Sequence, residues 1–157
     1  MPEKDAQRYA GRYERIAEQL EDLFTPELDI NARMATAAAL LHAKLPHFVW
    51  TGFYRLVGED LLVGPYQGAL ACAILEPRGS GVCWSSVQRG ETIIVPDVHE
   101  FDGHIVCDAR SRSEIAIPVR GTDGVVVGVL DVDSNELDAF LEADRVGLER
   151  IAAMVGE

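Results

Sequence analysis

Apolar residues recur at helical spacing near the N-terminus. Tyr9, Tyr13, Ile16, Leu20 and Leu23 form one stripe, with Glu14, Glu18 and Asp22 among the polar positions between them. This spacing predicts an amphipathic helix. Thr25-Pro26 reads as a cap followed by a proline at the first helical position, opening an alanine-rich helix from about Glu27 to Lys44 that stops before Pro46. The pattern then changes. His47 to Val57 is aromatic and β-branched, Gly58-Glu59-Asp60 is a turn, and Leu61-Leu62-Val63 begins a return strand, which predicts a hairpin.

Residues 67–75 read as another apolar strand. Gly79-Ser80-Gly81 opens a short helix from Val82 to Arg89, and Thr92 to Val95 is a short strand ended by Pro96. A second, strongly apolar hairpin follows: Glu114 to Arg120, the turn Gly121-Thr122-Asp123-Gly124, and Val125 to Asp133. A closing helix over 141–155 carries Leu148, Ile151, Ala152 and Val155 on one face. Helices, hairpin, strands, hairpin, helix: the order predicts one α+β domain over 1–157. Its sheet is central and mostly antiparallel, with helices packed on it. The N-terminal helices occupy 1–45, the sheet and its loops 47–133.

Composition narrows the function classes. The formal net charge is −12 and the pI about 4.7, which argues against a nucleic-acid binder or a ligand of anionic membranes, since both need a basic face. No signal-type apolar segment opens the chain, and nowhere do about 18 apolar residues run together. The expected location is cytoplasmic. There the three cysteines, Cys72, Cys83 and Cys107, read as thiols more than as a structural disulfide framework.

The cysteines are the first candidates for chemistry. Cys107 lies in the stretch from Asp97 to Arg112, which has no clear periodicity; loops that long inside a domain are usually functional or disordered. A thiol reacts as thiolate, and its neighbours pull in opposite directions: Asp108 raises its pKa, while Arg110, Arg112 or a protonated His104 lowers it. Cys72, in GALACAIL, reads as a small buried hydrophobe on a strand. Cys83, in GSGVCWSSV, sits near a helix start, where a thiolate is stabilised, or packs beside Trp84. Zinc held by Cys72, Cys83, His99, His104 and Cys107 is a weak reading, because no Cys-x-x-Cys or His-x₃-His spacing is present.

Carboxylates give the second signal. Glu114 opens one strand of the second hairpin, and Asp131 and Asp133 close the other. At period two the aspartates share a face. With the turn centred near residue 122, Glu114 should fall opposite about position 130 or 131. Three clustered carboxylates repel one another and are costly to bury without a cation. They are either solvated strand ends or a cup for a cationic group, with an ammonium and a hard metal such as Ca²⁺ or Mg²⁺ as competing occupants. Trp50 and Tyr54 also share one strand face, as core aromatics or as a pocket wall.

Taken in order, WTGFY, GPYQG, ACAI, GVC, VPDVHEFDGHIVCD, SRSEIAIPV and GVLDVDS resemble the free methionine-(R)-sulfoxide reductase family, which is built on a single GAF domain. The resemblance implies a GAF-like fold and reduction of free L-methionine-(R)-S-oxide to L-methionine. It implies that Cys107 is the nucleophile, Cys72 its resolving partner, and Cys83 a third cysteine able to join disulfide exchange. Glu114, Asp131 and Asp133 would hold the substrate's α-ammonium, with Trp50 and Tyr54 lining the pocket for its methyl end. It implies no metal and no bound cofactor, an external thioredoxin-like reductant, and a homodimer. The rival readings are a non-catalytic GAF-type module that senses a small ligand, and a redox or metal-holding protein.

Overall fold

A computed structural model describes residues 2–103 and 109–156. Two helices lead: α1 (Pro2–Leu23) and α2 (Ile30–Lys44). Strands β1 (Trp50–Val57) and β2 (Asp60–Gln67) form the first hairpin. Helix α3 (Val82–Arg89), strand β3 (Ile93–Val95) and a 3₁₀ turn at Val98–Glu100 come next. Strands β4 (Ser113–Arg120) and β5 (Val126–Ser134) form the second hairpin, and α4 (Glu142–Gly156) closes the chain. The sheet has five strands in the order β2-β1-β5-β4-β3, each neighbouring pair antiparallel. This is the expected α+β architecture.

Two expectations need correction. The segment 67–75 is not a strand of its own: beyond Gln67 it runs irregularly beside β2, joined by one bridge between Leu62 and Ile74 and by the bonds Val63 N to Ala73 O and Leu75 N to Leu61 O. Gly68 turns the chain there with φ +120°, and a side chain at that position would strike Val49 O. The second helix starts later than Thr25-Pro26 suggests. Asp29 is its N-cap, accepting a hydrogen bond from Ala32 N at 2.8 Å.

The two sheet faces have separate cores. One face carries Phe53, Ile115, Ile117, Leu130 and Val132 and packs against Ile16 and Leu20 of α1, Met34 and Leu41 of α2, and Leu148 and Ile151 of α4. The opposite face carries Trp50, Tyr54, Ala116 and Val129 and is covered by Val82, Cys83 and Trp84 of α3, with Leu75 and Val98.

A buried polar junction fixes the helical layer. Asp144, fully buried in the first turn of α4, accepts from Leu141 N at 2.7 Å, half of a capping box. It also accepts from the Tyr13 hydroxyl at 2.6 Å and meets His47 Nε2 at 2.8 Å. The Tyr9 ring stacks on His47 with centroids 4.4 Å apart. One carboxylate thus ties α1, α4 and the residues leading into β1. Gly147 admits the Tyr13 ring, since a Cβ there would lie 2.2 Å from it.

Tyr13→Phe is expected to lower the unfolding free energy by about 1.5–3 kcal/mol, the range for a hydrogen bond to a charged group. Urea denaturation measures this, and an unchanged midpoint would show that the junction contributes nothing.

Candidate functional site

Antiparallel register builds the site in rows. Trp50 pairs with Asp133, and Asp133 pairs with Glu114, so these three side chains lie side by side across β1, β5 and β4. The next row on that face is Gly52, Asp131 and Ala116, and the one after is Tyr54, Val129 and Pro118. Glu114 therefore faces Asp133, not position 130 or 131. The turn runs to Val125, closed by Gly121 N to Val125 O, and a register shift between Val119 and Arg120 moves the pairing. The expectation that the three carboxylates gather at one end of the hairpin holds.

Small neighbours make room for the central acid. Gly52 and Ala116 flank Asp131. A Cβ on Gly52 would come within 2.3 Å of the Tyr66 Cβ and 2.7 Å of Trp50 Cη2, so the indole lies over the glycine. Trp50 stacks on Tyr54 at 5.9 Å and on Tyr66 at 5.3 Å, forming an aromatic wall beside the acids. Tyr66 was not singled out in the sequence. The signal was in GPYQG, but placing Tyr66 opposite Gly52 requires the register shift between β1 and β2.

The wall also anchors the segment after β2. Trp50 Nε1 donates to Ala69 O and the Tyr54 hydroxyl to Cys72 O, each at 3.1 Å. This brings Cys72, half-buried and outside any strand, to the edge of the site. Cys72 is disulfide-bonded, whereas Cys83 is a free, buried thiol. Cys107, His104 and Asp108 lie outside the described residues. His99 and Arg112 are exposed. Among the described residues, the group with metal-ligand geometry is Cys83, Glu114 and Asp131, whose donor atoms all lie within 4.8 Å of one another.

Cys83 reaches the acids because α3 begins at Val82, directly after Gly81, and packs its first turn on the sheet. Burial pushes its thiol well above the usual range, and the charges of Asp131, Glu114 and Asp133 push it further. That outweighs the helix N-terminus, so Cys83 rests as a thiol bonded to Asp131. Glu114 is driven well up by burial and then by Asp131 and Asp133. Burial raises Asp131 as well, with the bonds from Glu114 and Cys83 acting the other way. The bond between them raises Glu114 and lowers Asp131, so Glu114 is its donor. Asp131 itself is 5% exposed, and its Oδ1 is buried with no hydrogen-bond partner among the described residues. Burial, followed by Asp131, also raises the Tyr54 phenol far above its ordinary value, so it stays a donor.

Comparison with known proteins shows what this chain is similar to. A family model described as GAF domain matches residues 27–157. Protein YtsP of Bacillus subtilis is 44% identical over 142 residues, 89% of this chain and 86% of the relative. The free methionine-R-sulfoxide reductase of Escherichia coli is 38% identical over 143 residues, 91% of this chain and 86% of the relative. The solved structure of free methionine-R-sulfoxide reductase from Neisseria meningitidis in complex with its substrate superposes with a TM-score of 0.87 at 37% identity, covering 94% of this chain and 87% of that one. The fold is that of a GAF domain. Within that class, the chain belongs to the free methionine-R-sulfoxide reductase family.

The raised Glu114 pKa carries a pH signature in the ligand-free protein. The folded chain holds a proton that the unfolded chain, with its pKa near ~4.3, has released. This contribution is complete below the unfolded value and is lost as pH rises through the folded one. Glu114→Gln removes that loss, so its unfolding free energy should gain on wild type as pH climbs above about 4. Urea titrations across pH test this; a difference that does not vary with pH would contradict the shared proton.

Proposed function

We propose that this protein reduces free L-methionine-(R)-S-oxide to L-methionine, using Cys107 as nucleophile and Cys72 as resolving thiol. The observation that carries the reading is the row structure: three carboxylates converge on one sheet face beside the stacked Trp50, Tyr54 and Tyr66 rings. An α-ammonium supplies three donors to Glu114, Asp131 and Asp133, and its charge offsets the cost of burying them. The apolar S-methyl end packs against the aromatic wall. Membership of the reductase family supports the same substrate.

The Cys107 thiolate attacks the sulfoxide sulfur, and the oxygen, protonated by the carboxylic acid of the cluster, passes to Cys107. Methionine leaves and a sulfenic acid remains. The Cys72 thiol then displaces water from the sulfenic acid to give a Cys72–Cys107 disulfide, and a thioredoxin-like dithiol reduces it by exchange. The disulfide-bonded state of Cys72 supports this assignment. Cys83, protonated and bonded to Asp131, is assigned a secondary part in exchange, after a change in its surroundings.

Selectivity follows from the acids. A methionine sulfoxide within a polypeptide has no α-ammonium, and binding it would leave buried carboxylates without their cation.

With free methionine-R-sulfoxide and dithiothreitol, wild type is expected to turn over and Cys107→Ser is not. Equal rates would eliminate Cys107 as nucleophile. Asp133→Ala is expected to lower kcat/KM by about 10–100-fold, the equivalent of one charge-assisted hydrogen bond of about 1.5–3 kcal/mol, with an unaltered circular-dichroism spectrum. An unchanged kcat/KM would refute the ammonium cup.

A further inference from the structure

We propose that Cys83, Glu114 and Asp131 form a binding site for a thiophilic divalent cation, Zn²⁺ being the metal whose ligand preferences fit. The cluster differs from a patch of acids in two respects. It contains a sulfur, and all three residues are buried. It also contains an oxygen that lacks a bond: Asp131 Oδ1, on a residue 5% exposed, has no hydrogen-bond partner among the described residues. Leaving a buried carboxylate oxygen without a partner is costly, and a ligand that uses it recovers that cost.

The distances suit a small ion. Tetrahedral zinc with Zn–S near ~2.3 Å and Zn–O near ~2.0–2.2 Å sets roughly 3.3–3.6 Å between ligand atoms. The three donor atoms here lie within 4.8 Å of one another, so a closure of about 1 Å or slightly more brings them into place. Glu114 and Asp131 sit on adjacent strands β4 and β5, and Cys83 on the first turn of α3, so the movement falls on side chains. Three protein ligands leave one coordination position for water.

Ligand type selects the metal. Ca²⁺ and Mg²⁺ are hard ions that take oxygen ligands, and neither would use the Cys83 sulfur. One thiolate with two carboxylates suits zinc, and cobalt(II) as its spectroscopic substitute. Binding must displace the protons that burial keeps on Cys83 and Glu114, so affinity rises with pH. If the amino-acid reading above holds, the ion and the substrate ammonium compete for the same oxygens, and zinc inhibits reversibly.

The test is optical and does not depend on turnover. In the full chain carrying Cys72→Ser and Cys107→Ser, Cys83 is the one remaining thiol. Co²⁺ is expected to bind once per chain and produce a near-ultraviolet thiolate-to-cobalt band that strengthens with pH and is displaced by Zn²⁺. Adding Cys83→Ser should abolish the band. Adding Asp131→Asn should weaken binding by at least about tenfold, the lower bound for losing even an outer-shell partner. No band, or a band that survives Cys83→Ser, overturns the site. Should the double variant fail to fold, calorimetry with Zn²⁺ on the disulfide-intact wild type replaces it. One ion per chain, absent in Cys83→Ser, is expected; no heat of binding, or identical binding by Cys83→Ser, overturns the proposal.

Discussion

Alternation along the strands is the constraint from which the rest follows. In β1, β4 and β5 successive side chains must point to opposite faces. Phe53, Ile115, Ile117, Leu130 and Val132 go to the helices, and Trp50, Tyr54, Glu114 and Asp131 go to the other side. A one-residue slip in the β4–β5 hairpin would carry acids into the apolar layer. The helical core, locked by Asp144 between Tyr13 and His47, therefore does more than hold the fold: by fixing the register it fixes which residues meet around Asp131.

At the acid cluster the protein accepts a local penalty. Glu114, Asp131 and Cys83 are all buried together, and like charges at such separations cannot all be expressed. Burial raises the pKa of both Cys83 and Glu114, which lessens the repulsion, and the small residues Gly52 and Ala116 stand beside Asp131. In the layer above, Trp84 Nε1 donates to the Leu75 carbonyl at 3.1 Å.

Periodicity made the helices, both hairpins and the sharing of faces by Trp50 with Tyr54 and Asp131 with Asp133 readable in the sequence. Register was harder. Placing Glu114 against Asp133 depends on the length of one turn and one shift near Val119, neither of which leaves a distinctive residue pattern. Tyr66 escaped notice for the same reason, through the shift in the β1–β2 pairing. Residues 67–75 misled because apolar composition is common to strands and to irregular segments packed on a core, and Gly68 alone marks the difference. Cys83 beside the acids is a contact between distant parts of the chain, which no local pattern encodes. The family resemblance supplied its candidacy but not its neighbours.

The aromatic wall has a mechanical corollary. Trp50 and Tyr54 each spend their polar atom on the backbone of the segment that ends at Cys72. The backbone that carries that sulfur cannot shift far without breaking these two bonds. The stacked rings and the backbone at Cys72 are thus mechanically joined, and the Trp50 indole is placed to report a shift of that segment through its emission.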